Sequence, residues 1–230
     1  MKIEIIVMIS LFKITTPASD ISLLTSAEMR TACSITGNGS DGDLRNLENM
    51  VVARLARTVR LRTDTITPPT FRPETITEQF RWGTGRFWAF WRTAYTEAWT
   101  PSQMVLSRKP IVNVISVVED GVTLVEDEDY EVQAAGGVLV RIWNDIPTFW
   151  IPSKIIVVYE AGWQTVPYDL KFAAQQLLRA YWFNYMMNPL IKSITVPGVI
   201  ARTYNTINRE PDIPQNVLDI LAPYTYYPQA

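Results

Sequence analysis

Between Pro167 and Met187 the chain offers a helix with almost no polar side. Lys171, Gln175 and Arg179 recur at i, i+4 and i+8 and form one narrow polar stripe. Around it lie Leu170, Phe172, Ala173, Ala174, Leu177, Leu178, Tyr181, Trp182, Phe183 and Tyr185. A helix on a protein surface needs an apolar face of only about 100°. This one is either the centre of its fold, or it lays one face on a neighbouring subunit, or both. Pro167 suits the first turn, where a missing N–H does no harm. Directly upstream, Lys154–Trp163 is β-branched and reads as a strand, so a sheet feeds this helix.

Two further helices are expected near the start. Thr25-Ser26-Ala27-Glu28 is a capping box, with Leu24 and Met29 at staple spacing, and predicts a short helix to about Cys33. After a glycine-rich loop, Asp41 or Asp43 is the expected cap of a second helix. Leu44, Leu47, Val51, Leu55 and Val59 line one face of it, ending near Arg60–Arg62. Pro68, Pro69 and Pro73 then change the pattern to strands. Asp120-Gly121 and Gly136-Gly137 mark hairpin turns between β-branched runs. The reading is an α+β fold: a helical bundle core, 22–62 and 164–222, with an inserted antiparallel β lobe, 63–163, of five to seven strands. Residues 1–21 form an N-terminal arm or an extra strand, and 223–230 a C-terminal tail. The short apolar run Ile3–Phe12 holds Glu4 and is too short to span a bilayer, so neither a secretory signal nor a membrane partner is expected. Ile191–Val199 reads as extended or looped, and Pro214 opens a last short helix.

Composition narrows the chemistry. The 230 residues contain no histidine and one cysteine, Cys33. Histidine-based nucleophile pairs, an internal disulfide and multi-cysteine zinc sites are therefore excluded. No cofactor or metal is expected. The net charge of −2 lacks the basic excess that duplex binding through phosphates normally shows. Eight Trp and ten Tyr suit a core or a protein interface.

Several segments carry more than one reading. Phe80–Arg92 interleaves arginines with Phe87, Trp88 and Trp91. It suits a hairpin covering the β lobe, stacking on nucleic-acid bases, or contact with another subunit. Gly83-Thr84-Gly85 lacks the lysine of a phosphate loop. Glu126-Asp127-Glu128-Asp129 reads as a solvated hairpin tip rather than a cation site, and would repel DNA if it faced a channel. Arg54, Arg57 and Arg60, with Arg62 beyond them, complement a helix C-terminus and are also candidates for phosphate or lumen contact. Tyr224, Tyr226 and Tyr227 can fold back or act as a docking peptide, the reading favoured here. A carboxylate-dependent tail hydrolase would need Glu160, Asp169 or the acidic run as an acid/base pair, and no spacing sets one up.

The order of these elements resembles the phage head–tail connector (adaptor) family of the siphophage type. The resemblance spans Ser22 to Tyr224. It rests on Leu44–Arg60, Lys109-Pro110-Ile111, Val114–Val117, Asp129-Tyr130, Ala161-Gly162-Trp163, Pro167, Asp169-Leu170-Lys171, Ala173-Ala174, Pro197-Gly198-Val199, Val217-Leu218 and Leu221–Tyr224. The family implies a non-enzymatic ring, usually of twelve subunits, docked under the portal protein at a capsid vertex. A tail or stopper protein would sit on its far side, and dsDNA would pass through the lumen without sequence recognition. Localisation would be the virion, after assembly in the host cytoplasm. The resemblance puts portal docking on Ile220, Leu221, Tyr224, Tyr226 and Tyr227. Phe87, Trp88, Trp91, Trp182 and Phe183 are candidates for subunit contact. The arm before Ser22 and the aromatic stretch Phe80–Trp91 have no counterpart in the family pattern.

Overall fold

The computed structural model describes residues 8–82, 102–151, 153–186, 193–196, 200–203 and 213–226. The chain divides into two compact units. One, the β unit, comprises residues 1–20, 61–164 and 226–230; the other, the helical unit, comprises 21–60 and 165–225. Helices and antiparallel sheets both contribute, so the fold class is α+β.

The β unit holds β1 (Met8–Thr16), β2 (Glu74–Trp82), β3 (Gln103–Val105), β4 (Ile111–Glu119), β5 (Val122–Leu124), β6 (Tyr130–Gln133), β7 (Val138–Trp143), β8 (Ile146–Pro147) and β9 (Ile155–Ala161). A five-stranded antiparallel sheet runs in the order β1-β2-β9-β4-β5. A second sheet runs β3-β7-β6, with β8 also pairing to β7. Eight described strands between 74 and 161 exceed the five to seven expected, because β3 and β8 are too short to show a period of two. The N-terminal segment supplies an edge strand, β1, paired along β2.

Alternation explains the layering. In β9, Ile155, Val157, Tyr159 and Ala161 are buried and the residues between them are not. Met104, Leu124, Tyr130, Leu139 and Trp150 complete one core with Ile76, Phe80, Ile111 and Val117. Two turns are made by paired left-handed residues, Asp120-Gly121 (φ 50° and 84°) and Asn144-Asp145 (φ 51° and 61°). That backbone twist matches the strands it joins. The inward face of β2 alternates apolar and acidic: Glu74, Ile76, Glu78, Phe80. Both carboxylates have partners, as buried charge requires. Glu74 pairs with buried Arg108. Glu78 accepts from the Arg62 guanidinium, the Ser107 hydroxyl and N–H, and the Tyr159 hydroxyl.

The helical unit holds α1 (Ser26–Cys33), α2 (Asp41–Thr58), α3 (Tyr168–Met186), a hairpin of β10 (Ser193–Val196) and β11 (Ile200–Thr203), and α4 (Gln215–Leu221) running into a 3₁₀ turn at Ala222–Tyr224. The capping box is formed in full: Thr25 Oγ1 accepts from the Glu28 N–H while Glu28 accepts from the Thr25 N–H. The second helix departs from expectation. Its N-cap is Ser40, with no side-chain cap bond, and Asp41 lies in the first turn paired to Arg30. The carboxylate lies inside the helix and still faces the positive end of its dipole. Helix α3 packs against α1, α2 and α4 and buries Leu170, Ala173, Ala174, Leu177, Leu178, Tyr181 and Trp182. Ile191–Val199, read as extended or looped, contributes β10 of the hairpin.

Candidate functional site

Helix α3 presents two faces. Its buried face makes it the centre of the helical unit. Its outward face carries Tyr168, Phe172, Phe183 and Met186, all exposed, and Tyr185 is exposed near the helix end beside Trp182. The Arg179 guanidinium lies 5.7 Å from the centroid of the Phe183 ring. That distance permits a cation–π attraction and keeps the cation beside the aromatic surface. Trp182, a candidate for subunit contact, is buried and stacks on Tyr185 at 5.7 Å. Phe183, its neighbour in sequence, is half exposed. The helix thus separates the two candidates, one in the core and one on the surface.

The basic cluster also divides. Arg57 and Arg60 are exposed at the end of α2, and Arg60 takes a left-handed conformation (φ 57°) just past the helix. Arg54 is half-buried one turn earlier, and its carbonyl accepts from the Thr58 hydroxyl. Arg62 belongs to the β unit. There it donates to Glu78 and to the Ser10 and Ser107 hydroxyls, and its guanidinium lies over the Phe12 ring at 5.1 Å.

The C-terminal residues are tied down within the chain. Leu221 is buried in the helical unit and Ile220 is half-buried. The Tyr224 hydroxyl reaches both carboxylate oxygens of Asp169, at 2.6 and 2.7 Å. Burial and the Asp169 carboxylate raise the Tyr224 phenol well above its usual range. The Tyr226 hydroxyl donates to the Lys109 carbonyl at 2.6 Å, and the Lys109 ammonium lies 5.4 Å from the ring centroid. Burial raises the Tyr226 phenol too. Tyr224 and Tyr226 therefore fold back onto their own chain. Tyr227, Phe87, Trp88 and Trp91 lie outside the described residues, as do Gly83-Thr84-Gly85 and Pro197-Gly198-Val199.

Among the carboxylates, Asp169 is engaged by Tyr224. Glu160 lines an open cleft of the β unit with Ala18, Asp20, Arg72 and Gln164. In the acidic run, the Asp129 carboxylate accepts from the Val125 N–H and its carbonyl from Arg141. Among the described residues no group of His, Cys, Asp or Glu is placed to hold a metal ion. Among them, too, no helix is long and apolar enough to cross a membrane.

Sequence reasoning passed over one surface. The β7–β8 hairpin sets Trp143 directly opposite Ile146, both about two-thirds exposed. Phe149 and Ile151, also exposed, follow in the same outgoing segment, while Trp150 between them anchors in the core. Trp-Asn-Asp-Ile was the available signal, since Asn and Asp accept the left-handed turn and force their neighbours to the tip.

No family profile matches the sequence, and no curated protein matches it. Solved structures do match by fold, over nearly the whole chain. A chain of the neck of an empty gene transfer agent particle, computed with C6 symmetry, superposes with a TM-score of 0.53 at 14% identity, over 96% of this chain and 97% of that one. A chain of the virion of a native gene transfer agent particle gives 0.51 at 13% identity, over 96% and 97%. A chain of the neck of a native particle, computed with C12 symmetry, gives the same values. In fold, this chain is similar to components of gene transfer agent particles.

Proposed function

We propose that this chain is a structural component of the head–tail neck of a phage-like particle. Copies form a ring, of twelve subunits, under the portal protein, with a tail or stopper protein beyond it. The lumen passes dsDNA during packaging and ejection, and no bond is made or broken. The observation that carries this reading is the fold similarity to gene transfer agent neck chains, which runs the length of both partners. The outward aromatic face of α3 supports it, because a subunit in a ring must offer apolar surface to its neighbours.

Docking to the portal falls to the end of the chain. Tyr224 and Tyr226 have partners within the chain, and docking is assigned to Ile220 and Tyr227. Two truncations separate the roles. Ending the chain after Tyr226 keeps both tyrosine bonds and is expected to abolish portal attachment with the thermal midpoint unchanged. Ending it after Pro223 is expected to lower that midpoint as well. The wider reading is tested by electron microscopy of particles made without this protein. Full heads lacking tails are expected; normally tailed particles refute the proposal.

A further inference from the structure

Charge is unequally shared between the two units. The β unit carries eleven basic and fifteen acidic residues, and the helical unit ten basic and eight acidic. Each also exposes an apolar surface of its own. In the β unit Trp143, Ile146, Phe149 and Ile151 stand at the β7–β8 hairpin. Beside them is Asp145 at the tip. The Asp129 carboxylate is paired with Arg141, and its carbonyl accepts from the Ile142 N–H beside Trp143. Asp127 and Glu128, in the turn before Asp129, are exposed. In the helical unit Phe172, Phe183 and Met186 stand on the outward face of α3, with exposed Arg179 over the Phe183 ring.

We infer that the acid-rimmed hairpin of one copy seats on the Arg179-flanked aromatic face of α3 in a second copy. The occupant is another copy of this chain because the two surfaces complement each other in charge, both are apolar, and each subunit carries one of each. Acidic rim against arginine steers the pair into register, while the buried rings supply the affinity. A contact between two different patches is heterologous, so its repetition closes a ring or runs on as a filament. The inference rests on the ring reading above and names the surfaces that join its subunits.

The test uses two full-length variants. Trp143→Ser with Ile146→Ser removes the hairpin anchors but leaves α3 intact. Phe172→Ser with Phe183→Ser does the reverse. Trp143 and Ile146 are about two-thirds exposed and Phe172 and Phe183 about half, so folding is expected to be retained, and circular dichroism checks it. Sedimentation velocity of the wild-type protein up to about 0.1 mM is expected to show species larger than a monomer, the range where weak subunit contacts populate. Each variant alone is expected to self-associate about 100-fold more weakly, the loss for two central apolar anchors. Mixed in equal amounts, the two variants retain one good surface each and are expected to form dimers and nothing larger. A wild-type chain that stays monomeric, variants that assemble as it does, or a mixture that stays monomeric each overturn the inference. If the variants assemble normally but fail to bind a purified portal or tail protein, the hairpin belongs to that partner and the inference is wrong, while the neck reading stands.

Discussion

Glu48 offers the sharpest test of what holds the helical unit together. It is fully buried on α2. Its Oε1 accepts from the N–H groups of Leu23 and Leu24, at 2.9 and 2.7 Å, and its Oε2 pairs with Arg45. Leu23 and Leu24 are each 1% exposed, so water cannot replace the lost acceptor. Glu48→Ala strands two buried donors, each costing about 1–3 kcal/mol, for a total centred on about 4 kcal/mol. Glu48→Gln keeps an oxygen where Oε1 stands and loses only the ion pair. The Arg45 side chain is 37% exposed and turns to solvent, so this change costs about 1–2 kcal/mol. The gap of about 2–3 kcal/mol corresponds to roughly 1–2 M in the urea midpoint, read by helical ellipticity with the slope unchanged. Equal destabilisation by Gln and Ala would place the energy in the ion pair and refute the argument.

Three other outcomes follow from the geometry. Gly162→Ala places a methyl 2.4 Å from the Arg72 carbonyl oxygen and 2.8 Å from the Pro73 nitrogen at φ +136°; a loss of about 3 kcal/mol or more is expected in thermal unfolding, and a neutral change would mean that this backbone crossing can open. Trp182→Ala is expected to cost about 3–5 kcal/mol in the same assay, since a ring 8% exposed leaves a cavity against the rest of the unit. Alkaline pH is expected to unfold the protein early. Burial raises the phenols of Tyr159, Tyr224 and Tyr226, with Glu78 and Asp169 adding to it for the first two. The folded state therefore holds the proton that the unfolded chain releases near pH 10, so these contributions are complete below about pH 10 and are lost as pH rises above it. A stability flat from pH 9 to 12 by denaturant titration would contradict this, and Tyr226→Phe is expected to flatten the slope in part.

Periodicity made much of this fold readable. The capping box at Thr25, the apolar face of α2 and the Asp120-Gly121 turn each depend on neighbours a few residues apart, and each formed where the sequence implies. What stayed hidden depends on distant partners. Nothing local to Glu48 or Glu78 announces the N–H groups or the arginine that each meets. Arg62 looks like one of four helix-end arginines, yet it joins β1 and β2 through Ser10 and Glu78, 52 and 16 residues away. For Trp143 and Ile146 the one local signal was the Asn144-Asp145 turn between them; the apolar run of β7 does not say which of its members outruns the core. Tyr224 and Tyr226 allowed both a folded-back and an outward reading, and only the positions of Asp169 and Lys109 draw them inward.

The placement of β9 between β2 and β4 sets an order of events during synthesis. Strands β1 and β2 can zip together once residue 82 has left the ribosome, and β4 can fold back on β5 soon after residue 124. Neither ribbon can join the other until Ile155–Ala161 arrives to fill the gap. Until then the nascent polypeptide carries two open hydrogen-bonding borders, on β2 and on β4, each able to recruit a stray strand. Messages cut short between codons 125 and 154 would therefore yield fragments prone to clump, whereas those extending a little past 161 would not.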